Sequence, residues 1–350
     1  MEFTILNWNI GGAKYLEEKR DKREATREQL NFELRQLISW YGRPQVVTLQ
    51  EIVRYREPGE DMKDLIDPIP GYRYHPFPLI DSDRLSSKAK WNKVKENGGW
   101  DEGTFFAQGN AMLFRDDLPH FPVWDLSRSS KDVPTVERHY VEQVNLESGL
   151  YFGDRNTEPR AVLVAHFILE SPGRKGKPLD IFVINLHLTT LMMEREGIPE
   201  IDLTASRIRL RQLDVIFQGI ISRYNMWKRQ GFPERGKRRR PAKFQTFTRH
   251  EPVWILAGDF NFTPASVEYE SIMKMNFLDV VLKKGSGTKS SGPGNPPTLT
   301  LDYVLAGPNF LAFNPVITGV ETLNNCVDIR TKGSDHYPLY AKIPLTLPWR

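Results

Sequence analysis

The chain is poor in cysteine, because Cys326 is the only one among 350 residues. A single thiol cannot form an intramolecular disulfide, and it also excludes a zinc site built from several cysteines. Long apolar runs are lacking as well. The longest, from Ala161 to Leu169, contains His166 and is far shorter than the roughly 20 residues of a membrane-spanning helix. The composition therefore excludes a disulfide scaffold and predicts no membrane-spanning helix.

The N-terminus lacks the pattern of a signal peptide. Met1 leads almost directly into the strand-like sequence Phe3-Thr4-Ile5-Leu6, without a basic region and an apolar region before it. We therefore expect a soluble cytoplasmic protein, unless a leader has been removed. The net charge is small, +4 at pH 7, but the basic residues are unevenly distributed.

The hydrophobic content of 39% is ample for a core. The apolar segments are spread evenly along the chain, which favours one large domain over two. We predict a single domain over residues 1–350, with a basic insertion at about residues 228–250.

The N-terminal region has the order strand, helix, strand. Residues 3–9 alternate between apolar and polar side chains, and residues 18–41 carry apolar side chains at helical spacing. Residues 45–51 are predicted to be a buried strand that ends at Glu51. This order is typical of an α/β layered enzyme. Residues 54–100 are charged and rich in proline, glycine and tyrosine, so we expect loops and short helices there, without a strand.

Similar patterns predict the remaining strands and a second long helix. Strands are expected at residues 109–115, 140–144, 161–169, 179–187, 253–257, 298–305 and 339–343. The helix is expected at about residues 203–227, and a flexible loop at residues 285–297.

The most informative stretch is the apolar run at residues 253–257, which is followed by Gly258-Asp259-Phe260-Asn261. It predicts a buried strand that brings a carboxylate and an amide to the edge of a sheet. Asp259 and Asn261 are two residues apart, so on an extended backbone both would lie on the same face. A carboxylate beside an amide donor suits metal-assisted attack of water on phosphorus. The structural alternative is an Asx turn that closes the strand.

Five further fragments accompany this one, and most of them lie at predicted strand ends. The six, in chain order, are Asn7-Trp8-Asn9-Ile10, Leu49-Gln50-Glu51, Asn185-Leu186-His187-Leu188, Gly258-Asp259-Phe260-Asn261, Leu301-Asp302-Tyr303 and Ser334-Asp335-His336. Together they resemble the motifs of the endonuclease/exonuclease/phosphatase (DNase-I-like) superfamily. The resemblance implies an α+β fold, a four-layer αββα sandwich of two packed mixed β-sheets flanked by helices. It also implies a site at one edge of the two sheets.

The resemblance implies a metal site. Glu51 and Asn9 would bind Mg²⁺, a hard cation that takes oxygen ligands, with Mn²⁺ as an alternative. Asp335 would complete the ligand set or orient a neighbouring residue. The structural alternative for Glu51 is a residue that caps a turn.

The resemblance also implies roles at the phosphoryl group. Asp259 would orient and deprotonate the attacking water, and Asn261 and His187 would donate to the non-bridging oxygens. His336 would act as a cation or a general acid, held in one tautomer by Asp302. Considered alone, His187 could be a core histidine and Asp302 an ordinary acid at a strand end.

Two further positions match the family loosely, namely Asn110 and Arg160, and they are supporting candidates for substrate binding. Gly11 lies where some nuclease branches carry an acid, which weakens the interpretation as an abasic-site endonuclease. His187 and residues 207–213 look more like the DNase-I, deadenylase-type and sphingomyelinase-type branches, without separating them.

The predicted insertion is dense in arginine and lysine, including Arg238, Arg239 and Arg240, and it also contains aromatic residues. This composition favours a nucleic-acid substrate. A solvated loop and an anionic membrane surface are the alternatives. The first hypothesis is therefore a Mg²⁺-dependent phosphodiesterase that acts as a nuclease on DNA or RNA. The second is a phospholipid or inositol-phosphate hydrolase, and the third is a catalytically silent nucleic-acid-binding module.

Overall fold

The fold is built from two large β-sheets with helices on their outer faces. The computed structural model describes residues 2–81, 88–118, 120–121, 141–145, 160–169, 179–191, 193–222, 252–279, 288–290, 297–307, 320–322 and 334–344. Strands and helices are numbered along the chain.

Within the described residues, the first sheet has seven strands. They are β1 (Glu2–Asn9), β2 (Val46–Arg56), β3 (Lys63–Asp64), β4 (Tyr72–Asp81), β5 (Phe105–Arg115), β15 (Val320–Thr322) and β16 (Leu339–Pro344). Their order is β15-β16-β1-β2-β5-β4, with β3 paired to β2. β1 and β2 are parallel and the other neighbours are antiparallel, so the sheet is mixed.

The second sheet also has seven strands in the described part of the chain. They are β6 (His120–Phe121), β7 (Val141–Asn145), β8 (Ala161–Leu169), β9 (Leu179–His187), β10 (Val253–Asp259), β11 (Leu278–Asp279) and β14 (Asp302–Gly307). Their order is β11-β14-β10-β9-β8-β6, with β7 paired to β8, and β9 and β10 are parallel. β12 (Lys289–Ser290) and β13 (Pro297–Leu299) form a separate two-stranded ribbon.

Helices cover the outer faces of both sheets. The helices are α1 (Gly12–Glu17), α2 (Arg20–Trp40), α3 (Lys88–Gly98), α4 (Pro199–Asp214), which continues as a π-helical segment (Val215–Ile221), and α5 (Val267–Lys274). Apolar side chains of α1, α2 and α3 pack on the first sheet. Those of the π-helical segment and α5 pack on the second sheet. A third apolar cluster lies between the two sheets, so the four layers are α, β, β, α.

The apolar pattern of the sequence explains these layers. In α2, Leu30, Leu34 and Leu37 lie at helical spacing and are fully buried against the first sheet. In β10 all seven residues are buried, because one face of the strand meets the first sheet and the other meets the helical layer. The predicted fold class, two mixed sheets in a four-layer sandwich, is therefore confirmed.

The prediction of no strand within residues 54–100 is wrong. β2 continues past Glu51 to Arg56, and β4 pairs with β5 over its whole length. Pro76 and Pro78 lie within β4 and obscured its pattern. Because β4 lies at the end of the strand order, its prolines interrupt no central ladder.

Some predictions fall outside the described residues. These include the last five residues of the second predicted helix, 223–227, and the whole basic insertion with Arg238, Arg239 and Arg240. In the described parts of the chain, no helix has the length and apolar character needed to cross a membrane.

Candidate active site

Asn9 connects the two sheets at the edge where β1 and β10 end. Its Nδ2 donates to Oε1 of Glu51 at 3.2 Å and to Oδ2 of Asp259 at 2.9 Å. Its Oδ1 accepts the N–H of Gly11 at 3.0 Å. The amide nitrogen, rather than the oxygen, therefore faces the two carboxylates. Asn9 is completely buried, so this bridge lies in the interior of the sandwich.

The sequence predicted that Glu51 ends its strand. In the structure Glu51 instead lies within β2. The pairing of β2 with β5 shifts register between Leu49 and Ile52, and Glu51 has a left-handed φ of 57°. Such a bulge re-aims a side chain. A Cβ on Gly12 would overlap the carbonyl of Glu51, so only glycine allows α1 to begin this close to the bulge. Gln108 on β5 donates to Oε2 of Glu51 at 3.3 Å.

Asp259 is the last residue of β10 and is 2% exposed. Its Oδ1 accepts the N–H of Asn261 at 2.9 Å, which is an Asx turn. Asn261 has a left-handed φ of 55°, so the prediction that both side chains share one face of an extended strand is wrong. The turn brings the two residues together instead. The amide of Asn261 carries two N–H bonds and donates to the carbonyl of Leu188 at 2.9 Å.

Gly258 allows β10 to lie close to β9. A Cβ at this position would overlap the carbonyl oxygen of Leu186, so another residue would push Asp259 away from His187. These two residues are register partners at the ends of their parallel strands.

Arg160 fixes the tautomer of His187. Its Nη1 lies 3.1 Å from Nδ1 of His187, and a guanidinium can only donate. Nδ1 must therefore accept, and the ring carries its proton on Nε2. That Nε2 lies 3.7 Å from Oδ2 of Asp259. His187 thus presents an N–H donor toward Asp259.

Asp302 imposes the opposite arrangement on His336. Its Oδ2 lies 2.8 Å from Nδ1 of His336, and a carboxylate accepts, so Nδ1 carries a proton. Nε2 of His336 lies 3.8 Å from Oδ2 of Asp259. Either protonation state of Nε2 is compatible with this contact, so His336 can exchange a proton there, whereas His187 is held as a donor.

The other predicted site residues lie close by. Ser334 accepts the N–H of His336 at 3.0 Å and donates to the carbonyl of Asn9 at 2.8 Å. Asp335 is buried, and its Oδ1 lies 3.7 Å from where a Cβ of Gly11 would be. The buried Asn110 donates to the carbonyl of Ala161, the neighbour of Arg160, at 3.4 Å. The structure therefore connects Asn9, Glu51, Arg160, His187, Asp259, Asn261, Asp302 and His336 through direct contacts, and it places Asp335 and Asn110 next to residues of this group.

The oxygen donors fit a hard divalent cation. A single amide group bridges the carboxylates of Glu51 and Asp259, so two negative charges approach one point, and carboxylate oxygens are the ligands that Mg²⁺ prefers. Ligand atoms of Asp259, Asp302 and His336 also lie within 4.8 Å of one another. In that second group His336 and Asp302 are hydrogen-bonded to each other, so we assign it to proton chemistry.

Several contributing residues were not identified from the sequence. Gln108 lies two residues before Asn110 on β5. Residues at this spacing lie on the same face of a strand, so Asn110 was the sequence signal that could have identified Gln108. Thr288 was assigned to a flexible loop, yet it is 1% exposed, and its Oγ1 accepts the N–H groups of Leu301 at 2.9 Å and Asp302 at 3.0 Å. No local pattern marks such a contact, because its partners are distant in sequence.

Helix α4 fixes the loop that follows His187. Arg209 donates to the carbonyl of Thr189 at 3.2 Å and pairs with Glu268 at 2.9 Å, and both charged residues are buried. Gln212 accepts the N–H of Thr189 at 3.1 Å. Within the loop, Arg195 donates to the carbonyl of Asn261 at 3.1 Å. Residues 207–213 therefore hold the loop after His187 in place through Arg209 and Gln212, without being part of the site.

The four-layer sandwich, with its polar group at one edge of both sheets, is that of a DNase-I-like protein. The sequence model of the Endonuclease/Exonuclease/phosphatase family matches residues 6–336. The protein therefore belongs to this family, as its motifs predicted, and members of the family hydrolyse phosphoester bonds. A comparison with curated proteins found no match.

Solved structures share the fold. A family protein from Bacteroides thetaiotaomicron has 15% identity and a TM-score of 0.52, with 99% of each chain covered. A protein of this family from Bacteroides vulgatus has 13% identity and a TM-score of 0.51, again with 99% of each chain covered. A mannosyl-6-phosphatase from Bacteroides thetaiotaomicron has 15% identity and a TM-score of 0.50, with 98% of this chain and 100% of that chain covered. At these identities the likeness establishes the fold alone.

Proposed function

We propose that the protein is a Mg²⁺-dependent phosphodiesterase whose substrates are nucleic acids. One observation carries the chemistry. Oδ2 of Asp259 accepts from Asn9 at 2.9 Å and lies 3.7 and 3.8 Å from Nε2 of His187 and His336. A carboxylate, an imidazole donor and an imidazole that can exchange a proton thus converge on one point, as hydrolysis of a phosphoester requires.

Each side chain then has one task in an in-line displacement. Asp259 orients the water and takes a proton from it as the water oxygen forms its bond to phosphorus. Nε2–H of His187 and the amide of Asn261 donate to the non-bridging oxygens, where negative charge develops. His336, protonated and stabilised by Asp302, gives a proton to the ester oxygen as its bond to phosphorus breaks.

Glu51 and Asp335 would hold the Mg²⁺ ion, with Mn²⁺ as the alternative. Asn9 was predicted as a further ligand, but its amide nitrogen faces both carboxylates and its oxygen accepts from Gly11, so it would orient Glu51 and not bind the ion. When bound, the cation supplies positive charge to the phosphoryl group and to the departing oxygen. Gln108 and Asn9 fix both oxygens of the Glu51 carboxylate by donating to them. We expect Glu51→Gln to shift the Mg²⁺ titration of the activity to higher concentration.

The nucleic-acid assignment is supported by the composition of residues 228–250. The clustered basic residues would contact phosphates, and the aromatic residues among them would stack on bases. A membrane surface would also attract such a segment, so a phospholipid is the competing substrate.

A substrate panel tests the proposal. Single-stranded DNA, duplex DNA, RNA, sphingomyelin, an inositol phosphate and mannose 6-phosphate are each incubated with Mg²⁺, Mn²⁺ or a chelator. The last substrate is included because a structural relative is named a mannosyl-6-phosphatase. We expect metal-dependent cleavage of a nucleic acid. Hydrolysis of a lipid, inositol phosphate or sugar phosphate, with DNA and RNA intact, would contradict the nuclease assignment.

The basic segment is tested separately by neutralising Arg238, Arg239 and Arg240 to glutamine. Each lost phosphate contact reduces the slope of log affinity against log salt by about one unit, so KM rises and its salt dependence weakens. The matched control neutralises three exposed lysines on or beside the helices of the first sheet, which are Lys19, Lys22 and Lys93. Equal salt slopes in both triple variants would remove the segment from substrate binding.

A further inference from the structure

Asn185 lies two residues before His187 in β9, and its side chain crosses from the second sheet to the first. Its Nδ2 donates to the carbonyl of Leu49 on β2 at 3.0 Å and to that of Ala111 on β5 at 2.7 Å. Its Oδ1 accepts Nε2 of Gln50 at 2.7 Å. Asn185 is completely buried. One amide thus joins β9 to two strands of the opposite sheet.

The amide cluster extends into the first sheet. Nε2 of Gln50 also donates to Oδ1 of Asn7 at 2.9 Å, and the hydroxyl of Thr48 donates to the same oxygen at 2.8 Å. All of these side chains are fully buried. Nδ2 of Asn7 and Oε1 of Gln50 have no hydrogen-bond partner among the described residues.

Stability alone does not account for this cluster. The surroundings between the sheets are apolar, and burying amide groups there costs free energy, most of all where a donor or an acceptor has no partner. Apolar side chains of similar size throughout the cluster would avoid that cost except at the carbonyls of Leu49 and Ala111, which Asn185 satisfies. The position of the cluster suggests another reason for it.

The cluster lies next to the site, on the same strands and just before the site residues. Asn7 precedes Asn9 by two residues, Gln50 precedes Glu51 by one, and Asn185 precedes His187 by two. The site itself is divided between the sheets, with Asn9 and Glu51 on the first and His187 and Asp259 on the second. Sliding of one sheet over the other would separate these pairs. Apolar packing is non-directional, so the hydrophobic effect by itself does not specify one register between the sheets.

We propose that Asn185 is a positioning residue that locks the register of the two sheets and thereby holds the two halves of the active site together. Its three hydrogen bonds have fixed directions and use both N–H bonds and the carbonyl of one side chain. The kinetic test of this proposal rests on the phosphodiesterase activity proposed above. Its structural test does not depend on that activity.

The chain provides a matched control in Asn31 of α2. Asn31 is 3% exposed, and its Nδ2 donates to the carbonyls of Arg27 and Leu65, each at 2.9 Å. Its Oδ1 accepts the N–H of Asp67 at 2.8 Å. Like Asn185, it donates to two main-chain carbonyls and accepts one N–H, but it does so in the outer helical layer and within one half of the sandwich.

The experiment compares Asn185→Leu with Asn31→Leu. Thermal unfolding measures the stability that each variant loses. We expect kcat to fall about tenfold to a hundredfold in Asn185→Leu with little change in KM, because small displacements of reacting groups cost that much. Asn31→Leu keeps the wild-type kcat. Equal kcat values in the two variants would overturn the proposal.

A second measurement separates this proposal from the proposed function. Hydrogen exchange followed by mass spectrometry needs no substrate, and we expect faster exchange in peptides covering residues 7–12 and 186–190 in Asn185→Leu only. Unchanged exchange there would contradict the register lock even if the enzyme is active. If the wild type cleaves no phosphoester, the proposed function fails, while the exchange result still decides this inference.

A milder variant covers the case in which Asn185→Leu does not fold. Gln50→Met keeps the length of the side chain but removes its donors to Asn7 and Asn185. We expect the same changes in kcat and in exchange, at smaller size. Wild-type values for both in Gln50→Met would contradict the proposal.

Discussion

His187 and His336 both present Nε2 to Asp259, but their partners hold them in different tautomers. The guanidinium of Arg160 forces a lone pair onto Nδ1 of His187, and the carboxylate of Asp302 forces a proton onto Nδ1 of His336. One ring is thereby held as a donor and the other can exchange a proton. This division of tasks is set by the partner of Nδ1 in each ring, Arg160 for His187 and Asp302 for His336.

The tautomers can be measured directly. Long-range ¹H–¹⁵N spectra should show the Nε2–H tautomer for His187 and a protonated Nδ1 for His336. In Arg160→Met the His187 signals should shift toward a mixture of tautomers, and kcat should fall by about tenfold to a hundredfold as the donor is lost. Unchanged His187 signals in this variant would show that Arg160 does not set the tautomer. Because the spectra need no substrate, they distinguish this role from substrate binding.

The sequence motifs indicated which side chains lie together at the site. They did not indicate the backbone conformations that carry those side chains. Residue types such as the Asp259 carboxylate and the His336 imidazole are dictated by chemistry and are visible in the sequence. The bulge that re-aims Glu51 and the left-handed turn at Asn261 depend on contacts with other segments. A local pattern carries no record of those contacts.

Among the strands, the predicted bounds of β8 and β9 agree with the structure, since most of their residues are apolar. β4 was missed because an edge strand tolerates prolines that local propensity treats as breaks. The ribbon of β12 and β13 was predicted to be partly a flexible loop. Thr288, beside β12, is instead an anchor, since its carbonyl also accepts the N–H of Tyr337 at 2.7 Å.

Thr288 should therefore position the Asp302–His336 pair. Thr288→Val keeps the shape but removes the oxygen that accepts from Leu301 and Asp302, which leaves two buried N–H groups without that partner. We expect a loss of roughly 1–3 kcal/mol in stability and a fall in kcat. Thr288→Ser retains the hydroxyl and should keep kcat near the wild-type value. Urea unfolding and steady-state kinetics on the three proteins check this, and identical behaviour of the two variants would contradict it.

The four-layer arrangement buries several tyrosine hydroxyls across the molecule. Burial raises the pKa of Tyr303 far above its ordinary value, and the charges of Asp279 and Asp302 raise it further. Burial raises the pKa of Tyr72 to about 12 and, with the help of Asp279, that of Tyr269 to about 12. These tyrosines remain protonated in the folded protein at a pH where the unfolded chain has lost the protons.

The protein should therefore lose stability in alkali. Between pH about 10 and 12 the unfolded state binds fewer protons than the folded state, so the free energy of unfolding falls as pH rises. Below pH 10 this contribution is fully present. Urea midpoints measured from pH 8 to pH 11.5 should decline above about pH 10, and Tyr269→Phe should make the decline shallower. A midpoint that rises or stays level over this interval would show that the hydroxyls ionise freely in the folded state.

The overall architecture was the part most accessible from the sequence, because six ordered motifs near the ends of apolar segments define one family fold. The register between the two sheets was not accessible, since it depends on contacts such as that between Gln50 and Asn185, which are 135 residues apart. The active site depends on both.

Asp259→Asn is the most direct test of the proposed chemistry. The substitution keeps the size of the side chain and an oxygen to accept from Asn261, but it removes the base that takes the proton from water. The control is Asp279→Asn on β11, whose carboxylate contacts Tyr269 at 3.3 Å rather than the site. The assay uses saturating Mg²⁺ and the substrate that the wild-type protein cleaves in the panel. Under these conditions kcat of Asp259→Asn should fall by about a thousandfold or more, while Asp279→Asn keeps its activity. Turnover by Asp259→Asn at the rate of the control would show that hydrolysis does not depend on this carboxylate.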